Sequence, residues 1–421
     1  MNLWQWVTWS LVGLVVLLTL LLWSARAQRS SRVRLERVEA FRDLLPSISG
    51  LTQGWLVGGN RVEVLQNGDG FFPRLLADVA AARHSIHIES YVWWQGDICR
   101  QVARALSARA RDGIEVRLLL DAIGAASAEA AVLDEMVRAG VRLVYYHPFE
   151  LRALGRLNQR THRKMAVFDG RVGYVFSQGF AAEWEGAGDG PKSWRDTGGR
   201  LEGPVVGRVQ AVFARNWMEE TSEVLFGERY FPHLEEVGDV TCQIVSSTPS
   251  GGVSSVSILH KLMIAGADHE LLIQNPYFCP DNDLTRMLVA AAGRGVRVRI
   301  MVPGPVTDSP VVQHAGHWQF TRLLRAGIEI WEHQRTLIHQ KVLVVDGCWC
   351  HLGSTNFDER SFDINSEVSL GILDEGIATQ LAEAFEEDLA HCRRLELRRW
   401  RRRSPLHVAA DAVAFLVHEQ L

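Results

Sequence analysis

The chain has 421 residues, 47% of them hydrophobic and 22% charged, with a formal net charge of −4. That length is too great for one average domain and suits two, and the composition is that of a folded protein. The slightly acidic balance argues against a broad nucleic-acid-binding surface, though not against a local basic patch.

Residues 3–23 run without a charge, and 11–22 are the most apolar part. A helix of that length spans a bilayer. Trp4, Trp6 and Trp9 crowd one end and Trp23 the other, as interfacial aromatic belts do. No Lys or Arg precedes the stretch, whereas Arg26, Arg29, Arg32, Arg34 and Arg37 follow it. The positive-inside rule then places the remainder of the chain in the cytoplasm. A cleaved leader is the competing reading, because Ala25-Arg26-Ala27 resembles an A-x-A site. The missing basic start and the arginines directly after that site favour the anchor. Residues 24–53 read as a juxtamembrane arm, charged and helical at its start.

From residue 54 onward the pattern is α/β. Residues 85–93 read as a strand, 98–111 as a helix with Val102, Leu106 and Ala110 on one stripe, and 116–121 as a second strand. A helix over 128–139 ends at Gly140, and a strand over 141–146 follows. The second half repeats the order: strand from 270, helix 284–293, strand 296–302, helix 319–326, Gly327 and strand 328–331. Gly140 and Gly327 both follow Arg-Ala. The offsets point to a duplication with small insertions, dividing the chain at the turn-rich 245–255 region or just upstream. We take 54–240 as half 1, 241–403 as half 2, and 404–421 as a C-terminal amphipathic helix.

Each half carries one copy of a short word. His162-x-Lys164 leads to Asp169, and His339-x-Lys341 leads to Asp346, both in the form H-x-K-x4-D. On a strand, side chains at i and i+2 share a face, so each word presents an imidazole and an ammonium together. The aspartate falls on the other face or round the following turn, where it anchors the turn or the other half. Two such words at matching places suggest one site built from two halves. Paired lysines clamp a phosphoryl group. One imidazole can attack phosphorus while the other protonates the leaving alcohol. Such a scheme calls for no metal and no cofactor. His162, Lys164, Asp169, His339, Lys341 and Asp346 are the candidate catalytic residues.

These words, with Gly353-Ser354-Thr355-Asn356-Phe357-Asp358-Glu359-Arg360-Ser361-Phe362, Asn365-x-Glu367, Trp194-Arg195-Asp196-Thr197, Leu201-Glu202-Gly203-Pro204 and Asn275-Pro276-Tyr277-Phe278-Cys279-Pro280-Asp281, resemble the phospholipase D superfamily. Within it they are similar to the bacterial cardiolipin synthases, over residues 54–403. The resemblance implies an α/β fold of two pseudo-symmetric phospholipase D-like halves, each a mixed sheet flanked by helices, sharing one central active site behind the N-terminal transmembrane helix. It implies His162 as nucleophile and His339 as general acid and base, although pseudo-symmetry allows the reverse. Lys164, Lys341 and Asn356 would hold phosphate oxygens, and Ser354 and Ser177 would bind phosphate or orient the site. Asp196 and Glu367 would orient the imidazoles. The implied partners are the membrane and phospholipid substrates, phosphatidylglycerol among them, and not nucleic acid; the oligomeric state stays open. The implied location is the bacterial inner membrane, single-pass, with the catalytic part cytoplasmic. A phospholipase D-type hydrolase is the alternative. One departure stands out: Phe176-Ser177-Gln178-Gly179-Phe180 has Gly179 where the family carries asparagine, and Gln178 or Ser177 would have to substitute.

Other features read more plainly. The six cysteines (Cys99, Cys242, Cys279, Cys348, Cys350 and Cys392) lack zinc-ligand spacing and read as free thiols. His314-x-x-His317 lacks a third ligand at a natural spacing. Trp93 and Trp94 are cleft or core residues, and Tyr277 and Phe278 follow a strand where α/β sites gather ligands. Residues 393–403 are arginine-rich with interleaved Leu and Trp, which suits an anionic membrane surface. Leu406, Ala410, Val413 and Val417 give the last helix an apolar stripe.

Overall fold

The computed structural model describes residues 2–26, 41–149, 156, 158–249 and 254–420, without the side chains of 3, 16–26 and 42. The N-terminal helix is α1 (Leu3–Arg26). Among the described residues no helix is long and apolar enough to cross a membrane. The side chains of the second half of the expected span, and residues 27–40 of the expected arm, lie outside the description. Next comes α2 (Phe41–Thr52).

Half 1 runs β1 (Leu56–Gln66), α3 (Asn67–Ala81), β2 (Ser85–Ser90), α4 (Asp97–Arg111), β3 (Glu115–Asp121), α5 (Ala130–Arg138), β4 (Arg142–Tyr146), β5 (Met165–Phe168), β6 (Val172–Phe176), β7 (Thr197–Glu202) and α6 (Val206–Thr221). Half 2 runs β8 (Val240–Ser247), α7 (Ser255–Gly266), β9 (Glu270–Gln274), α8 (Asn282–Gly293), β10 (Arg297–Pro303), α9 (Pro310–Arg325), β11 (Glu329–His333), β12 (Val342–Val345), β13 (Trp349–Gly353), β14 (Glu367–Leu373) and α10 (Glu375–Leu389). The chain closes with β15 (Cys392–Arg394), α11 (Leu397–Trp400) and α12 (Pro405–Phe415).

The strands form one sheet, and its order shows the repeat directly. Half 1 is ordered β1-β7-β6-β5-β2-β3-β4, and half 2 is ordered β8-β14-β13-β12-β9-β10-β11 with β15 added at the edge. β2, β3 and β4 are parallel, as are β9, β10 and β11. The strands carrying the end of each H-x-K-x4-D word are antiparallel to their neighbours. The halves join through the antiparallel pair β1–β8. β8 begins at Val240, so the division falls upstream of the 245–255 turn, of which 250–253 lie outside the description.

Burial follows from this layering. β2 is buried at every position, as a strand covered on both faces must be. Gly140 and Gly327 take φ of +102° and +84°, a left-handed turn that ends each helix at little cost to glycine. One apolar cluster unites the halves, with Met165, Val167 and Leu201 from half 1 packing with Val342, Leu352 and Leu370 from half 2. The described part of the expected arm belongs to the fold. Phe41, Leu44 and Ile48 of α2 are buried in the core of half 2, and Leu44 and Phe41 lie against Gly266 at the end of α7.

Candidate active site

His162 and Lys164 lie in extended chain just before β5, and His339 and Lys341 just before β12. They are therefore not within the paired strands, but the i, i+2 geometry still aims each pair to one side. All four side chains are buried. His162, His339 and Lys164 line one cavity of about 260 Å³, together with Asn356, Tyr91, Trp184 and Tyr277.

The acids cross between halves. His162 Nδ1 is 2.9 Å from Glu367 Oε1, and His339 Nδ1 is 2.7 Å from Asp196 Oδ2. Each imidazole is thus oriented by a carboxylate of the opposite half, through the ring nitrogen that faces away from the chemistry. The backbone enforces the crossing. His162 N–H donates to Ser366 O at 2.9 Å, and His339 N–H donates to Arg195 O at 2.8 Å. Each histidine segment therefore pairs with the residue next to the acid.

Ser177 and Ser354 serve those acids. Ser177 Oγ donates to Asp196, and Ser354 Oγ donates to Glu367. They are orienting residues and do not line the cavity. Asp196 also accepts from Trp184 Nε1 at 2.6 Å and from Thr197 N–H at 2.9 Å. Asn356 faces the cavity, and its Oδ1 is buried without a partner. An amide held in that way has its own donor group to offer to a phosphate oxygen.

Asp169 and Asp346 are not part of the pocket. Asp169 accepts from the backbone N–H of Arg83, His84 and Ser85 at 2.7–2.9 Å. Asp346 accepts from those of Asp268, His269 and Glu270 at 2.8–2.9 Å. Both sit at positive φ, 54° and 50°. They pin the hairpin turn of each word to the start of β2 or β9, within their own half. They leave the catalytic set and join the scaffold.

The electrostatics follow from burial. Desolvation pushes His162 down to about 4 against the pull of Glu367. It pushes His339 to about 4, with Lys341 adding to the effect and Asp196 opposing it. Lys164 is pushed down to about 7 by burial and by Lys341. Lys341 is pushed to about 8, by burial first. Burial alone would raise Asp196 and Glu367, but the histidines hold both below the usual carboxylate range. Burial thus favours the uncharged form of both imidazoles and lowers both lysines towards neutral pH. Asp358, on the cavity wall, is pushed up to about 7 by burial.

At Gly179 the structure explains the missing asparagine. A Cβ there would lie 2.7 Å from Trp184 Cζ3 and 2.9 Å from Val92 Cβ. The indole fills the space an amide would occupy and packs edge-on to His339 at 5.0 Å. Gln178 turns its Oε1 back to the Ser177 N–H at 3.2 Å and does not line the cavity. Trp184 was not foreseen from sequence; a large ring close after an exceptional glycine was the available signal. Tyr91 was not foreseen either. It lies edge-on to His162 at 5.2 Å, with Lys164 Nζ 5.4 Å from its ring centre. Trp94 and Tyr277 line the cavity, whereas Trp93 and Phe278 are core.

Outside the pocket, the cysteines are free thiols. His314 and His317 do find a third potential ligand, Asp411 of α12. Arg403 Nη1 already sits 2.6 Å from Asp411, and His314 Nδ1 is 2.7 Å from it, so the group forms an ion-paired clasp between α9 and α12.

A doubled α/β sheet with two imidazoles and Lys164 lining one cavity, Lys341 against His339 and crossed acids behind them defines a phosphodiester-transferring enzyme of the phospholipase D type. Comparison with known proteins agrees. A family profile described as "Cardiolipin synthase, PLD-like domain" matches residues 75–183 and 261–389. A cardiolipin synthase of Geobacillus kaustophilus is 33% identical over 362 residues, 85% of this chain and 72% of that protein. Cardiolipin synthase 1 of Staphylococcus epidermidis is 30% identical over 358 residues, 84% of this chain and 73% of that one. Among solved structures, phosphatidylserine synthase of Haemophilus influenzae superposes with a TM-score of 0.67 at 14% identity, over 86% of this chain and 95% of that chain. Polyphosphate kinase of Porphyromonas gingivalis gives 0.55 at 15%, over 87% and 53%. These two share the fold. The chain belongs to the cardiolipin synthase family of the phospholipase D superfamily, a family of phosphatidyltransferases.

Proposed function

We propose that the protein moves a phosphatidyl group from one phospholipid onto a free hydroxyl of phosphatidylglycerol, forming cardiolipin and releasing a small alcohol such as glycerol. The observation that carries this reading is the crossed pair of oriented imidazoles facing one cavity. In the first step His162 Nε2 attacks phosphorus. An N–P bond forms, the P–O bond to the leaving alcohol breaks, and His339 Nε2–H gives its proton to the departing oxygen. In the second step His339 Nε2 takes the proton of the incoming hydroxyl. That oxygen attacks phosphorus, and the N–P bond breaks to restore His162.

The charge balance suits this sequence. The site sets two lysines against two carboxylates. A bound phosphodiester adds one negative charge, which favours one imidazolium. Lys341 Nζ, 3.0 Å from His339 Nε2, is placed to share its proton with that ring. Lys164, Lys341 and Asn356 would hold the phosphoryl oxygens, and neither step uses a metal. In this reading α1 and the arginines after it anchor the protein in the bacterial inner membrane with the catalytic halves on the cytoplasmic side, so that lipid hydroxyls compete with water for the phosphohistidine.

Cells expressing the protein, fed labelled phosphatidylglycerol, should gain labelled cardiolipin and glycerol, and His162→Ala or His339→Ala should abolish the gain. Phosphatidic acid in place of cardiolipin would make the enzyme a hydrolase. An unchanged lipid profile would overturn the proposal.

A further inference from the structure

The C-terminal segment exposes apolar side chains that the pocket chemistry does not use. Leu406 is 81% exposed, Val413 65% and Val417 48%. Successive spacings of seven and four residues put them on one stripe of α12 and the turn after it. The opposite face, with Asp411 and Ala414, is the one packed on α9. The stripe is thus left over after folding, and no core reason accounts for it. Just ahead of it, Arg398, Arg401 and Arg402 are exposed, and among the described residues no carboxylate lies within ion-pair distance of them.

The same segment ends on the rim of the catalytic cavity. Arg360, which lines the cavity, donates to Gln420 O at 3.1 Å and to Asn158 Oδ1 at 3.1 Å. Asn158 Nδ2 donates to Gln420 Oε1 at 3.0 Å, and His418 Nε2 lies 3.6 Å from Glu359. A helix with an apolar outer stripe, an arginine cluster before it and the pocket rim after it has the layout of an interfacial membrane element.

We propose that α12 and the arginines before it form a docking surface for an anionic bilayer, which sets the mouth of the catalytic cavity against the lipid plane. The occupant follows from complementarity: the stripe suits acyl chains, and the unpaired arginines suit anionic headgroups, each contributing about fivefold in binding near the surface. The choice of occupant rests on the lipid-substrate reading given above.

The test uses the full chain in vesicles, carrying His162→Ala so that docking is read without turnover. Val413→Cys bears an environment-sensitive fluorophore, with Arg229→Cys as an exposed control on half 1. In phosphatidylcholine vesicles containing phosphatidylglycerol, the label at 413 should shift to the blue and be quenched by nitroxide lipids, while the control should not. Leu406→Glu should remove most of the quenching without lowering Tm. The triple change Arg398→Gln, Arg401→Gln, Arg402→Gln should remove the dependence on phosphatidylglycerol. Absence of quenching at 413 in both vesicle types overturns the proposal. So does a blue shift in detergent that depends on protein concentration, which would identify a second copy of the chain as the occupant. If docking occurs and the unsubstituted enzyme makes no cardiolipin, the functional reading fails and this one stands.

Discussion

The two orienting acids look equivalent, yet replacing each by its amide should have unequal effects. In Glu367→Gln the substituted amide can keep its oxygen on His162 Nδ1–H, where Oε1 now sits at 2.9 Å. Its NH2 then faces Ser354 Oγ. That hydroxyl can accept, because its own proton can go to Val368 O, 3.2 Å away. The contacts to His162 and Ser354 both survive, and so does the tautomer. Only the charge is lost, and a charge-assisted bond exceeds a neutral one by about 1–2 kcal/mol. We expect kcat to fall about fivefold to thirtyfold, with Tm nearly unchanged. Asp196→Asn has no such arrangement. One oxygen accepts from Trp184 Nε1–H and His339 Nδ1, and the other from Ser177 and the Thr197 N–H. An NH2 at the first position opposes the indole and reverses the His339 tautomer. At the second it opposes a backbone N–H that cannot turn away. One buried donor is orphaned in either case, adding about 1–3 kcal/mol. We expect a further loss of roughly tenfold to a hundredfold in kcat, or a clear fall in Tm. The assay is cardiolipin formation from phosphatidylglycerol in mixed micelles, beside thermal unfolding of each variant. Equal losses in the two variants, or the larger loss in Glu367→Gln, would refute the reasoning.

Asp169→Ala and Asp346→Ala each orphan three backbone N–H groups. Each should cost about 1–3 kcal/mol in denaturant unfolding while leaving kcat per folded molecule unchanged; a selective loss of kcat would return these residues to the catalytic set. Acid should destabilise the fold earlier than ordinary histidines would allow. The folded imidazoles sit at about 4 against an ordinary 6.5, so between those values the unfolded chain binds more protons and stability falls as pH drops. Glu367 and Asp196, held low, add to the loss in the same direction. A Tm that is flat from pH 6.5 to 4 would contradict this. On the basic side, Lys164 at about 7 and Lys341 at about 8 should make kcat/KM decline above pH 7, far below the ordinary lysine range. Gly179→Asn should not raise activity, because its Cβ meets Trp184 and Val92. Overpacking of this kind costs about 1–3 kcal/mol, and combining it with Trp184→Phe should relieve part of the cost; strict additivity of the two in unfolding measurements would count against the contact.

Much of the fold was legible because its signals are local. The strand expected at 116–121 is Glu115–Asp121, and the helix expected at 98–111 is Asp97–Arg111. Both glycine stops fall where Arg-Ala-Gly placed them. Helix α9 was read from 319 and begins at Pro310, because His314 and His317 interrupt the apolar pattern of its first turns while being satisfied from α12. The reactive residues were legible as a doubled word, and Asp196 and Glu367 as acids downstream of it. Which acid serves which histidine was not. His162 and Glu367 lie 205 positions apart, and no periodicity within either half encodes a contact to the other. The serines followed the same rule. The sequence leaves them as phosphate-binding or orienting, and the structure turns each hydroxyl onto the nearby carboxylate.

The crossing of the acids explains why neither half could work alone. A half in isolation would hold an imidazole without its acid and an acid without its imidazole, on a face opened to water. Bringing the halves together satisfies both defects at once, so assembly of the fold and assembly of the site are one event. This also bears on the departure at Gly179. A decaying half would leave a gap or an unpaired acid in that place. Instead the indole of Trp184 occupies the space of the missing amide and donates to Asp196, the residue that orients His339. An indole bonded to the acid that orients His339 thus stands where the expected amide would be. In the proposed mechanism phosphate binding then rests on Asn356, Lys164 and Lys341.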